Sequence, residues 1–345
     1  MKNSMRKKFK IGLILLLLLI GVSLAVRYYN LYRFHLEKQT RFMMDTYVTV
    51  YGIGPKEKTA RIIDLALDRM QEVDTKFNSL NPKSPIYAFN HRNEPISDEE
   101  IVQVARLALE IADASGGAFD ITVAPLAELW GFYGKSPHLP QEQEIKDCLK
   151  RIGYKYLSLK NSRLEKTRED VSIELGGIAK GYAISQAAKV LREGGVNSAL
   201  IDAGGDVYAL GKKGRDLWKV GIRSPRGEEL LGYVEVTDLA VMGSGDYERF
   251  FEKDGKRYHH IFDPKTGYPA ESLSGMTLIY HDPVAADGWI TALFVLGPEK
   301  GLKIVEKIPG MEAIMVTRSG ERHYSSRFKN ALKPIQKIKS KEKGE

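Results

Sequence analysis

The chain has 345 residues, 43% hydrophobic and 28% charged, an ordinary globular balance that suffices for one large domain or two small ones. Its net charge of +8 does not mark a nucleic-acid binder: residues 1–30 hold six Lys or Arg and no acid, residues 329–345 hold six Lys against two Glu, and the middle is left near −2. The single cysteine, Cys148, excludes an internal disulfide and any multi-cysteine metal site.

Lys2, Arg6, Lys7, Lys8 and Lys10 precede an apolar run from Ile11 to Val26. Charge followed by an apolar stretch is the layout of an export signal or an N-terminal membrane anchor, with the N-terminus inside and the rest of the chain outside. The run is shorter than the ~20 residues that span a bilayer comfortably. Ser23-Leu24-Ala25 suits a cleavage site, whereas Arg27, Tyr28 and Tyr29 suit the interfacial flank of a retained anchor. Both remain open, with the anchor favoured. The chain then divides into a hydrophobic signal or anchor (1–30), one soluble domain (40–328) and a basic, solvated tail (329–345).

Within the soluble part, β-branched and aromatic residues predict a strand over Thr46–Tyr51. Apolar residues near helical spacing (Ile62, Ile63, Leu65, Leu67, Met70, Val73) predict a helix over Thr59–Thr75. Ser97 followed by Glu100 reads as a capping box for a helix Asp98–Ser115 that stops at Gly116-Gly117. A strand over Val171–Leu175 runs through Gly176-Gly177 into a helix Ile178–Glu193. Strands are expected over Ser198–Asp202, Val207–Gly211, Trp218–Ile222, Tyr233–Val236, Ser274–Tyr280 and Ala313–Thr317. A hairpin over Glu248–Asp263 turns at Asp254-Gly255. Asp282-Pro283 supplies the N-cap and first-turn proline of a helix ending near Gly297. Strands and helices do not alternate one for one, so the fold class is α+β, with mainly antiparallel sheets.

Four segments concentrate Gly, Asp, Thr and Lys. Ser115-Gly116-Gly117-Ala118-Phe119-Asp120 is a tight turn that either ends a helix or brings backbone N–H groups against a flat ring. Glu174 to Gly181 leads through paired glycines into a helix N-terminus, where free N–H groups favour an anion. Lys180 there opposes the helix dipole, which suits a phosphate better than helix stability, although a glycine turn with a surface lysine has the same pattern. If His259 and His260 lie on one strand they point to opposite faces, so only one can serve a given site, and either could be a core histidine. Asp263 closes that strand in a turn with Pro264, Thr266 and Gly267. Asp287 and Thr291 share one face of an otherwise apolar helix. Their hard oxygens suit Mg²⁺ rather than Zn²⁺, unless Asp287 simply caps a turn.

In this order the segments resemble the ApbE family of flavin transferases, from about Met43 to Val316. Met44-Asp45-Thr46, Gly117-Ala118-Phe119-Asp120, Leu175-Gly176-Gly177-Ile178-Ala179-Lys180-Gly181, Asp202-Ala203-Gly204-Gly205-Asp206, Ser244-Gly245-Asp246-Tyr247, His260-Ile261-Phe262-Asp263-Pro264-Lys265-Thr266-Gly267 and Ala286-Asp287 with Thr291 carry the resemblance. It implies an ApbE-like (T-fold-like) domain that uses Mg²⁺ to move FMN from FAD onto a Ser or Thr hydroxyl of another protein, releasing AMP. Met44, Ala118, Phe119, Asp120, Glu174, Lys180 and Phe262 fall where the family contacts FAD. Asp287, Thr291 and the Gly177 carbonyl fall where it holds Mg²⁺, and His260 falls at a candidate general base, with Asp263 as a nearby alternative. Two positions depart from the pattern: Glu174 stands where Asp is common, and Leu80 where some members place a Tyr against the flavin ring. The implied partner is an exported flavoprotein carrying an Asp-x-x-Ser/Thr-Gly-Ala-Thr-like segment, which this chain itself lacks, and the implied location is the extracytoplasmic face of the cell membrane, in the periplasm or at the cell surface. The competing readings are an FAD pyrophosphatase and a flavin-binding module without chemistry.

Overall fold

A computed structural model describes residues 2–33, 35–134 and 136–334. The chain opens with helix α1 (Lys2–Arg33), along which Leu15, Leu19 and Leu24 are exposed. Among the described residues no helix is long and apolar enough to cross a membrane. Strands β1 (His35–Met43) and β2 (Thr46–Gly54) form a hairpin whose turn residues, Met44 and Asp45, both have positive φ (53° and 57°). That geometry matches the right-handed twist of a hairpin. Helix α2 (Lys56–Phe77) extends the helix expected over Thr59–Thr75 at both ends.

Helix α3 (Pro85–Arg92) starts at the Ser84 cap, and α4 (Glu99–Ala114) follows. The expected capping box does not form. Asp98 caps α4, accepting from Glu100 N at 3.1 Å and Ile101 N at 3.2 Å. The Glu100 carboxylate turns away to Lys76 and Arg69, ion pairs stronger than a reach back to one exposed amide. Helices α5 (Ala124–Leu129) and α6 (Glu142–Leu149) and the small hairpin of β3 (Leu157–Lys160) and β4 (Arg163–Lys166) come next.

The strand expected over Val171–Leu175 is extended but joins no ladder. Asn90 takes the place of a partner strand, donating to Ile173 O at 2.9 Å and accepting from Ile173 N at 2.8 Å. Helix α7 (Gly176–Glu193) begins at the first of the paired glycines. It is followed by β5 (Ala199–Ala203), β6 (Asp206–Leu210), β7 (Trp218–Arg223), β8 (Leu230–Val236) and β9 (Leu239–Gly245). Then come β10 (Phe250–Lys253) and β11 (Lys256–His259), hinged at Asp254-Gly255 as the sequence suggests, and β12 (Leu273–Tyr280). Helix α8 (Pro283–Val305) is capped by Asp282, which accepts from Val284 N at 2.8 Å. Gly297 (φ 71°) breaks α8 without ending it, and the helix resumes at Pro298. Strands β13 (Glu312–Thr317) and β14 (Arg322–Tyr324) and helix α9 (Phe328–Ala331) complete the chain. Lys333 pairs backbone to backbone with Tyr233 and ion-pairs with Glu235, so packed structure continues past 328. The remaining tail, 335–345, lies outside the described residues.

The architecture is one antiparallel eight-stranded sheet in the order β1-β2-β5-β6-β9-β12-β13-β14. Each strand presents alternate residues to opposite faces. One face, with Val48, Ile201, Met242 and Leu278, packs on α2, α7 and α8, and α4 lies against α7 and α8. The other, with Val207, Val241, Ile279 and Ile314, is covered by the β7–β8 hairpin and Phe328. This two-sided burial is the α+β layering expected, and it leaves α7 and α8 side by side beneath the sheet.

Candidate active site

A cleft of ≈ 830 Å³ opens where the β1–β2 turn, the 116–123 loop, the start of α7 and the segments around 244–249 and 260–264 converge. Its size suits a nucleotide-sized ligand. Met44, Ala118, Phe119, Asp120, Glu174, Gly177, Lys180, His260, Phe262, Asp287 and Thr291 all line it.

At the polar end, α7 and α8 touch. A Cβ on Gly181 would stand 2.2 Å from Pro283 O and 2.8 Å from the Asp287 Cβ, so only glycine permits this approach. Gly181 N donates to Asp287 Oδ2 at 2.7 Å. That amide is the one an uninterrupted helix would aim at the Gly177 carbonyl. Thr291 Oγ1 lies near the place a Gly177 Cβ would take, at 3.3 Å. Lys180 ion-pairs with Asp206, whose other oxygen accepts from Gly243 N at 3.0 Å. Burial alone would pull the Lys180 ammonium down; Asp206, Asp287 and Glu248 more than offset it and hold its pKa above the usual lysine value. Burial, reinforced by Asp206, pushes the Asp287 carboxyl up to about 7 despite Lys180. Asp206, Asp287 and Glu248 thus share one cation. Leu175 offers no capping side chain to α7, and Glu174 Oε1 accepts from Gly176 N at 3.1 Å. Burial raises the Glu174 carboxyl, with Arg249 opposing.

The rest of the cleft is shaped by loops. Gly116 and Gly117, at φ 63° and 81°, bend the chain after α4 so that Ala118 and Phe119 enter the wall. The Asp120 carboxylate is consumed within the loop: Oδ1 accepts from Thr122 N (2.8 Å) and Thr122 Oγ1 (2.6 Å), and Oδ2 from Tyr154 N (2.8 Å). Met44 N donates to Asp74 Oδ2 at 3.1 Å, fixing the hairpin tip. Leu80 lies on the cleft wall, half open to solvent. Phe262 lines the cleft, though its ring also packs 5.8 Å from both Trp130 and Phe132.

The two histidines part, although only His259 lies on β11 and His260 follows the end of the strand. His259 is fully buried, with Nε2 donating to Ala270 O at 2.8 Å and Nδ1 accepting from Ile261 N at 3.2 Å. His260 faces the cleft; its Nδ1–H donates to Arg249 O at 3.2 Å, which leaves Nε2 as the lone-pair nitrogen. Burial, then Arg249, holds the His260 imidazole well below its ordinary pKa, so it is neutral. Asp263 is not among the residues lining the cleft: its Oδ1 accepts from Lys265 N at 2.9 Å, and its carbonyl accepts from Gly267 N at 2.8 Å. The geometry gives Asp263 a turn to hold rather than a proton to move.

A sequence model described as the ApbE family matches residues 44–315. The chain belongs to the ApbE family. A protein named FAD:protein FMN transferase from Klebsiella pneumoniae (strain 342) is 33% identical over 293 residues, 81% of this chain and 83% of that one. The crystal structure of the ApbE protein of Thermotoga maritima matches with a TM-score of 0.81 and 35% identity, covering 87% of this chain and 100% of that chain. The flavin transferase ApbE of Vibrio cholerae matches with a TM-score of 0.76 and 26% identity, over 87% of this chain and 100% of that chain.

The ApbE-family cleft also contains residues that sequence reasoning left without a role. Asp206 closes the Asp202–Asp206 motif, but only the fold brings it to Lys180. Arg249, exposed on the rim, carries the carbonyl that sets the His260 tautomer. Tyr133 follows α5 in a loop with no glycine-aspartate signature to flag it.

Proposed function

We propose that this ApbE-family protein is an FAD:protein FMN transferase, which takes FMN from FAD and attaches it to a Ser or Thr hydroxyl of an exported acceptor flavoprotein. The protein is a transferase. The observation that carries the specific reaction is the union, in one cleft, of an anion-binding helix start with Lys180, a buried oxygen donor set at Asp287 and Thr291, and a neutral histidine facing the same space.

The donor set fits a hard divalent cation. It offers a buried carboxylate, a hydroxyl and a helix-start carbonyl, all oxygen, and Asp287 is short of positive charge. Among the described residues no three His, Cys, Asp or Glu are grouped to hold a metal, so phosphate oxygens and water would complete the shell. Asp287, Thr291 and the Gly177 carbonyl would hold Mg²⁺, which when bound neutralises charge on the pyrophosphate.

Lys180 and the α7 N-terminus bind the diphosphate and favour the charge that builds on it. The acceptor hydroxyl oxygen attacks the phosphorus on the riboflavin side, forming a phosphoester. The bond from that phosphorus to the bridging oxygen breaks, and AMP leaves with the bonding electrons. His260 Nε2 takes the hydroxyl proton; a neutral imidazole is the form able to do so. Phe119 and Phe262 supply apolar surface for a flat ring.

The N-terminal charge pattern supports an exported enzyme retained at the outer face of the membrane by α1. That face is the periplasm or the cell surface. Protease added to cells stripped of any outer membrane and wall should digest the domain, and protection of the domain would reject this placement.

The test of the reaction uses the protein lacking residues 1–30, FAD, Mg²⁺ and an acceptor domain with an Asp-x-x-Ser/Thr-Gly-Ala-Thr segment. Flavin fluorescence on the denatured acceptor, with one AMP released per label and both lost on adding EDTA, is expected. AMP and free FMN without label would make the enzyme an FAD pyrophosphatase. Bound FAD with neither product would make it a flavin-binding module.

A further inference from the structure

Among the described residues, the lysine and arginine side chains that line the cleft are Lys180, Arg223 and Arg249. Lys180 is committed to Asp206, and Asp287 and Glu248 draw on the same charge. Arg223 is committed to no carboxylate. Its guanidinium is exposed and makes no hydrogen bond or ion pair among the described residues; its contact is with the Tyr247 ring, 4.9 Å from the ring centre. Three residues on, Arg226 is the opposite case, with its terminal nitrogens on Asp246 at 2.6 Å and 2.7 Å.

A free arginine on an open surface is ordinary, but this one is seated. Arg223 ends β7, on the hairpin that covers the far face of the sheet. Gly245 and Gly275 face each other across β9 and β12. A Cβ on Gly245 would run into the Tyr247 ring, and one on Gly275 would stand 2.8 Å from Pro225 Cβ and 3.5 Å from the ring. The paired glycines thus let Tyr247 and Pro225 close onto the strands, and Arg223 rests on the ring they seat. A guanidinium on an aromatic face keeps its N–H donors for another partner. Glu248, next after Tyr247, feels the charge of both Lys180 and Arg223, so Arg223 stands at the polar end of the cleft. A diphosphate would bring further negative charge to an end where three carboxylates already share Lys180, and a second cation there is uncommitted.

We propose that Arg223 holds the diphosphate of FAD, its guanidinium donating to a phosphate oxygen beside Lys180. The inference rests on the reading that the cleft takes FAD. Arg223→Gln removes the charge at similar length. It should bind FAD about 10- to 100-fold more weakly, the worth of a charge-assisted hydrogen bond. Riboflavin, which has no phosphate, should bind as to the wild type, and the ligand-free melting temperature should not change, because no carboxylate loses a partner. Arg223→Lys should recover part of the loss, keeping the charge without the planar fork. Unchanged FAD affinity in Arg223→Gln overturns the proposal, and unchanged affinity with a lowered melting temperature would show that the side chain serves the fold. Equal losses for FAD and riboflavin also overturn it, by showing that Arg223 shapes a ring surface with Tyr247. Wild-type protein that binds no FAD overturns this contact together with the reading beneath it, whereas wild-type binding with an indifferent variant overturns the contact alone.

Discussion

Asp246 and Asp287 are both almost fully buried, 1% and 4% exposed, yet the protein treats them oppositely. Asp246 is enclosed by cations: Arg226 grips it with Nη1 at 2.6 Å and Nη2 at 2.7 Å, and Arg257 adds a third contact at 3.4 Å. Asp287 shares Lys180 with Asp206 and is left deficient in positive charge. The adjacent histidines repeat the contrast. Protein atoms occupy both ring nitrogens of His259, whereas His260 is held by one nitrogen and offers the other to the cleft. Asp246 and His259 are enclosed as part of the fold, whereas Asp287 and His260 face the cleft with capacity to spare.

Substitutions can break this division. The largest expected effect is that of Asp287→Ala, which should reduce EDTA-sensitive AMP release by roughly 10³-fold, with melting temperature nearly unchanged; a variant that unfolds would place Asp287 with Asp246. Next is the acid limb of stability. The folded His259 pKa is depressed from 6.5 to about 4, chiefly by burial. A depressed folded pKa gives stability that is present above pH 6.5 and lost as pH falls toward 4, because the unfolded chain takes up the proton first. That limb should amount to up to about 3 kcal/mol, and His259→Gln should flatten it in urea titrations across that range. Third, His260→Ala should slow transfer by about 10²-fold with intact FAD binding. Because the pKa of His260 lies well below its ordinary value, the wild-type rate measured at saturating Mg²⁺, which keeps Asp287 ionised, should show no loss due to His260 until the pH is well under 6.5. Smallest is Asp246→Ala, which should cost about 2 kcal/mol of stability. Its arginines are partly exposed and can rehydrate, and transfer by the folded fraction should be nearly normal.

Local chemistry made much of this legible in the sequence. Asp282-Pro283 announced α8, Asp254-Gly255 the β10–β11 hairpin, and the spacing of Ile63, Met70 and Val73 the buried side of α2. Glycine and acid clusters marked most of the cleft wall. Failures fell where a distant group won. Glu100 left its cap for Lys76 and Arg69, and Asn90 bonded Ile173 across 83 residues where a strand partner was expected. Asp263 looked like a base beside a histidine, but whether a carboxylate faces a cleft or its own turn depends on backbone geometry that residue type does not encode. Tyr133 was silent because the aromatic cluster Trp130, Phe132 and Tyr133 lies after α5 without a repeating period.

Gly181 and Asp287 stand 106 residues apart and meet only because no side chain separates α7 from α8. The oxygen pair at the polar end of the cleft therefore faces the α7 start only after α8 docks, and a chain in which α8 has not docked lacks the proposed metal-binding half of the site. Substrate present during folding would then act as a template, drawing the population toward the one arrangement that can hold it.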